Sequence, residues 1–309
     1  MTVLSDGRSS ATSTAPAPGS RRRPLRRRLA EPRVAGWLFL VPLALVNALV
    51  VFIPSASSIL YSLTDWTGIG DATFIGLDNY TRLFADPAFV NAFAHNLQWT
   101  AFFLVVPMSL GLFGAFALSQ VRRFRLLFRV LFFVPYIVAS VVSAAIWRVL
   151  LSPDNGFGAL FGVNFLGNPD LALWSVAFVN NWAWWGFLVV VYLAAMQGVN
   201  PSLYEAAALD GAGPLRQFIS ITLPAIRPTF AFLGLMTIIW SFLSFDYVFI
   251  LTQGGPAGST DLLSTLLYRQ AFSNLEAGYA SAIGVVTASI SGIVVAAYLL
   301  VRKFRNWDI

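Results

Sequence analysis

Six apolar stretches, each long enough to cross a bilayer, decide what this chain can fold into. They lie at 37–61, 97–118, 130–151, 173–196, 229–252 and 280–301, and a spanning helix needs about 20 such residues. Inside lipid no water satisfies the backbone, so each stretch must close its own hydrogen bonds as a helix. The remainder could not clothe a soluble fold. Of 309 residues, 57% are hydrophobic and 11% charged, against about a quarter charged in globular proteins. The expected fold is all-α, a polytopic membrane protein with six transmembrane helices.

Basic residues set the orientation, because cytoplasmic segments retain Lys and Arg. Eight arginines precede the first span, Arg122, Arg123, Arg125 and Arg129 join the second to the third, Arg216 and Arg227 follow the fourth, and Arg302, Lys303 and Arg305 come last. The other side holds Arg82, Arg148 and Arg269, a ratio of 17 to 3 on strictly alternating sides. The N- and C-termini and the loop after the fourth span are expected in the cytoplasm. Residues 1–34, rich in Ser, Ala, Pro and Arg with nothing to bury, are expected as a disordered basic tail, and 35–309 as the transmembrane domain. The apolar stretch after the tail is too long for the core of a cleaved signal peptide, and five more follow. The arginine block reads as a topological anchor at the membrane lipid rather than a site for anionic headgroups or nucleic acid. No nucleic-acid partner is expected.

The loop 198–225 is unusual for a connection between two spans. Asn200 is a good N-cap, Pro201 a good first helical residue, and Glu205 lies near the favourable end of the helix dipole. Tyr204, Ala207 and Ala208 share one face at helical spacing. Gly211 ends this helix and Gly213-Pro214 opens a second, whose stripe is Leu215, Phe218, Ile219 and Thr222, with Arg216 and Gln217 turned away. Pro224 is expected to stop it. Such a hairpin either receives a protein partner or lies along its own cytoplasmic surface.

Glu205-Ala206-Ala207, Asp210-Gly211-Ala212-Gly213 and Ile221-Thr222-Leu223-Pro224 resemble the EAA loop of binding-protein-dependent ABC importer permeases, without a gap over about 20 residues. Phe74 to Tyr80, Phe245-Asp246-Tyr247, Leu251 to Pro256 and Tyr268 to Phe272 are similar to carbohydrate-uptake permeases of the maltose-transporter type. The resemblance covers residues 36–309. It implies the type I ABC importer permease fold in a bacterial plasma membrane, with Tyr204, Glu205, Ala206, Ala207, Asp210, Gly211, Gly213, Leu223 and Pro224 forming the loop that an ATPase subunit moves. It also implies a second related permease, two ATP-binding cassette subunits and an extracytoplasmic solute-binding lipoprotein that meets the outer loops 71–96 and 254–260. ATP and Mg would be bound by those ATPase partners, and no cofactor by this chain. The implied cargo is a di- or oligosaccharide or a related carbohydrate, with glycerol-3-phosphate or another polar solute as the alternative.

The residues argue against other classes. A Walker A loop needs Gly-Lys followed by Ser or Thr, whereas the single lysine, Lys303, stands between Arg302 and Phe304. There is no cysteine and His95 is the one histidine, which removes thiol chemistry and leaves metal sites poorly supplied. A membrane-integral enzyme needs clustered carboxylates or His with carboxylates, but Asp71, Asp78 and Asp154 read as turn residues. No catalytic residue and no metal site are expected. An ion-coupled secondary transporter would carry ionisable groups within its spans, and Asp246, near the outer end of the fifth, is the only acidic one in all six.

Polar residues inside spans are costly and mark pathways. The fourth span carries Asn180 and Asn181 with Trp182, Trp184 and Trp185, and the fifth has Thr237, Ser241 and Ser244, whose spacing puts three hydroxyls on one helix face beside Trp240. Ser and Thr can instead bond to their own helix carbonyls, and Trp can belong to an interfacial belt. The resemblance favours the pathway: counted from Glu205, positions Asn180, Trp184, Phe187, Thr237, Trp240, Ser241 and Ser244 match those lining the maltose-type sugar site. Serines stand where that relative has asparagines.

Overall fold

The computed structural model describes residues 32–121 and 123–304. Up to residue 31 the expected basic tail lies outside the described residues, as do Arg122 and residues 305–309. Regular structure is helical, and among the described residues the isolated bridge Thr64–Phe74 is the only extended pairing.

The chain divides after Ser55 into two units. The first, described from Pro32, is a helical rod. α1 (Pro32–Asn47) runs through a π-helical turn, Ala48–Phe52, into α2 (Ile53–Tyr61), which continues past the division. α1 thus begins within the stretch expected as tail. Leu43, Val50 and Phe52 are exposed.

After the end of α2 the second unit continues with α3 (Asp78–Ala85), α4 (Pro87–Gln120), α5 (Arg125–Ile137), α6 (Ser140–Leu150) and α7 (Phe157–Phe161). α8 (Pro169–Gln197), α9 (Pro201–Leu209), α10 (Pro214–Gln217), α11 (Leu223–Ala225) and α12 (Arg227–Leu243) follow. α13 (Asp246–Leu251), α14 (Leu263–Tyr268) and α15 (Ala277–Phe304) complete it. The long helices start where local chemistry allows. Asp86 caps α4 by accepting from the Ala88 N–H at 2.9 Å, and Asn168 caps α8 by accepting from the Asp170 N–H at 2.9 Å, each with proline next.

Five helical segments are long and apolar enough to cross a membrane: Leu40–Tyr61, Pro87–Gln120, Pro169–Gln197, Arg227–Leu251 and Ala277–Phe304. The expected third span departs from a straight helix. α5 and α6 are bent by 93° where Val138 and Ala139 turn extended, so six spans result only if this pair counts as one. Pro135 has already removed one backbone donor from that end of α5.

α8 is the central element, packed along α4 and α5. Both contacts depend on missing side chains. A Cβ on Gly111 of α4 would press on Leu188, and one on Gly186 of α8 would collide with the Phe132 carbonyl of α5. Met108, Leu188, Val189, Tyr192 and Leu193 fill one end of the core. Trp99, Phe103, Val176, Val179 and Val248 fill the other.

Candidate functional site

A cavity of about 250 Å³ opens between α4, α8 and α12–α13. Asn180, Trp184, Thr237, Trp240, Ser241 and Ser244 all line it. Phe187 lies just behind, its ring 5.2 Å from Trp184 and 6.2 Å from Trp240. The seven residues assigned to a path from the sequence are therefore neighbours in space. Trp182 and Trp185 point elsewhere, onto Trp147 and Phe132.

The polar atoms are unequal. Ser241 Oγ donates back to the Thr237 carbonyl at 2.7 Å, the helix-internal bond that its spacing also permitted. Thr237 Oγ1 and Trp184 Nε1 are buried with no partner. Buried polar groups are nearly always satisfied, so these two are exceptions within the packed wall. Trp184 and Trp240 meet edge to face at 4.3 Å and give that wall its aromatic surface.

Ser244 corrects the one-face expectation. α12 ends at Leu243 and Ser244 is extended, so its side chain leaves the helical stripe while still lining the cavity. Its freed carbonyl accepts from the Ser264 hydroxyl. Sequence reasoning missed further lining residues: Trp99, Phe103, Leu243, Phe245, Asp246 and Tyr247. Asp246 carried the clearest signal, as the one carboxylate within the spans. Its Oδ2 accepts from Ser140 Oγ at 2.7 Å, joining the first residue of α6 to the first of α13. The two helix breaks thus meet at the cavity, where non-helical backbone is tolerated at membrane depth.

The hairpin follows α8. The Asn200 side chain caps α9 by accepting from the Ser202 N–H at 3.0 Å. At the far end, Ala212 N–H bonds the Ala207 carbonyl at 2.9 Å and Gly211 N–H the Ala208 carbonyl at 3.0 Å. This Schellman closure requires the left-handed φ of +77° found at Gly211. Glu205, Ala206, Asp210, Gly211 and Gly213 are exposed, Ala207 is half-buried, and Leu203 and Leu209 project outward. Tyr204 turns inward, its hydroxyl 2.8 Å from Thr222 Oγ1 on the return limb.

Two expectations for that limb fail. Pro224 does not stop it: α10 passes through a π-helical turn, Phe218–Thr222, into α11, with Leu223 and Pro224 both inside helix. The wider turn ends with the Leu223 N–H bonded to the Phe218 carbonyl, and a proline near the start of the next helical turn has no donor to lose. Gln217 is also not turned away, since its Nε2 donates to the Ala212 carbonyl at 2.9 Å and closes the corner. Of the expected stripe, Thr222 is buried and Phe218 half-buried, while Leu215 and Ile219 are exposed.

At the opposite end, ion pairs brace the connections. Arg82 meets Glu276 at 2.7 Å and lies 4.2 Å over the Tyr279 ring. Arg269 meets Asp261 at 2.6 Å. Burial pushes the Asp261 carboxyl up from its ordinary pKa, against the lowering pull of Arg269. His95 Nδ1 lies 3.1 Å from the Asp261 carbonyl. Among the described residues no group of His, Asp or Glu could hold a metal ion.

Comparison with known proteins places this architecture. The family described as binding-protein-dependent transport system inner membrane component matches residues 107–306. The diacetylchitobiose uptake system permease protein of Streptomyces coelicolor is 36% identical, over 94% of this chain and 89% of its own length. The sn-glycerol-3-phosphate transport system permease protein of Escherichia coli is 32% identical, over 81% and 88%. A chain in the crystal structure of a bacterial alginate ABC transporter, in complex with alginate pentasaccharide-bound periplasmic protein, superposes with a TM-score of 0.80 at 23% identity, covering 92% of this chain and 98% of that one. The chain belongs to the binding-protein-dependent transport system inner membrane components, the permease subunits of ABC importers.

Proposed function

We propose that this protein is the transmembrane subunit of an ATP-driven importer carrying a carbohydrate across a bacterial plasma membrane, with both termini in the cytoplasm. The observation that carries the reading is the cavity, where Asn180, Ser244 and Asp246 stand beside the Trp184 and Trp240 rings. Sugars offer hydroxyls for the first and C–H faces for the second. The diacetylchitobiose relative supports the same cargo class. The Escherichia coli relative supports a second reading, a phosphate-bearing solute.

In this account an extracytoplasmic binding protein delivers cargo to the end carrying α3 and the loop before α14. ATP and Mg bind to two partner ATPase subunits, whose closure pushes the hairpin around Glu205 to Gly213. A second, related permease completes the cavity, which is open on its Trp240, Leu243 and Asp246 side. Rigid-body rocking of the two permeases then alternates access. Gly211→Val tests the coupling. A β-branched residue at φ +77° is strained, so the corner should distort, and ATP hydrolysis should continue while uptake falls at least tenfold. Uptake and ATP-to-cargo ratio both unchanged would refute the hairpin's role.

A further inference from the structure

Relatives leave the charge of the cargo open, and the cavity bears on it directly. Asp246 is the only charged side chain among the described residues that line it. The bond from Ser140 holds one carboxylate oxygen and fixes the group at the junction of the two helix breaks. The second oxygen has no protein donor among the described residues, and Asp246 is exposed.

A sugar hydroxyl donates to the carboxylate, and it can also pair with the Asn180 amide and the Ser244 hydroxyl of the same lining. A phosphate or carboxylate on the cargo can only accept. Beside Asp246 it would meet a like charge. Among the described residues of the lining no cation offsets this. Arg148 is turned to the Leu251 carbonyl at 3.5 Å, and Arg82 and Arg269 are engaged by Glu276 and Asp261.

We propose that this site selects carbohydrates without negative charge, with Asp246 accepting hydrogen bonds from cargo hydroxyls and turning away phosphate- and carboxylate-bearing solutes. The inference rests on the carbohydrate reading of the cavity. The test uses the complete transporter in proteoliposomes, with binding protein and ATP, and a panel of neutral di- and oligosaccharides including diacetylchitobiose and maltose, plus glycerol-3-phosphate and galacturonate. Accumulation of a neutral member and neither anion is expected, and Asp246→Asn should raise KM for that sugar about tenfold without lowering the yield of assembled complex. Uptake of either anion by the native transporter overturns the proposal, as does a KM for Asp246→Asn within twofold of native. Uptake of no carbohydrate at all overturns the carbohydrate reading itself, and the proposal with it.

Discussion

Thr237 is 2% exposed with its hydroxyl unpartnered, an arrangement that stability alone does not favour. Leaving a buried polar group unmade costs about 1–3 kcal/mol, so Thr237→Val should hold or raise the thermal midpoint of the solubilised protein while lowering uptake about tenfold. A drop in both would make the hydroxyl structural. Asp261 predicts the opposite behaviour. Its side chain is 6% exposed and paired with Arg269, which is 38% exposed. Arg269→Ala should destabilise by about 2–3 kcal/mol, below the full cost of breaking a buried pair because the arginine is partly solvated. Burial raises the Asp261 pKa, so the loss should be complete above that raised pKa, where the carboxylate is charged, and fade as pH falls through it. A pH-independent loss would exclude the buried charge as its cause. Thr237 and Trp184 were assigned to a path by the resemblance, since their residue types and spacing alone equally allow helix-internal bonds and an interfacial belt. Asp246 was not given its place, since hydropathy locates a carboxylate along the chain but cannot bring Ser140 to it.

At the level of elements, the spans were legible because apolar length is a property of the sequence alone. The 93° bend between α5 and α6 was not, because Val138 and Ala139 are as apolar as the helices they interrupt. Likewise Pro224 reads locally as a stop, and only the preceding π-helical turn shows how the limb continues through it. Close packing gives a sharp test. Gly186→Val places a branched side chain against the Phe132 carbonyl, a backbone atom that cannot rotate aside, so folded yield from membranes should fall severely. Normal yield and midpoint would contradict the α5–α8 contact. In the hairpin, Tyr204→Phe removes the bond to Thr222, worth about 1 kcal/mol. It should leave insertion intact and lower the cargo moved per ATP by twofold or more, and an unchanged ratio would show that the limbs move together without it.

The second unit pairs a polar, aromatic cavity at the middle of α8 with a hairpin that follows the end of α8, and the sequence holds no Gly-Lys-Ser or Gly-Lys-Thr. α8 connects the two directly: Trp184 faces the cavity, and the helix ends at Gln197, three residues before the Asn200 cap. A push on the hairpin therefore has a rigid route to the cavity wall. The central claim is that this lever is driven from outside the chain. The most direct measurement is solute accumulation in proteoliposomes, comparing this subunit alone under an imposed proton or sodium gradient with the complete assembly supplied with ATP and no gradient. The account predicts accumulation only in the complete assembly, dependent on ATP hydrolysis. Gradient-driven accumulation by the isolated subunit would contradict it.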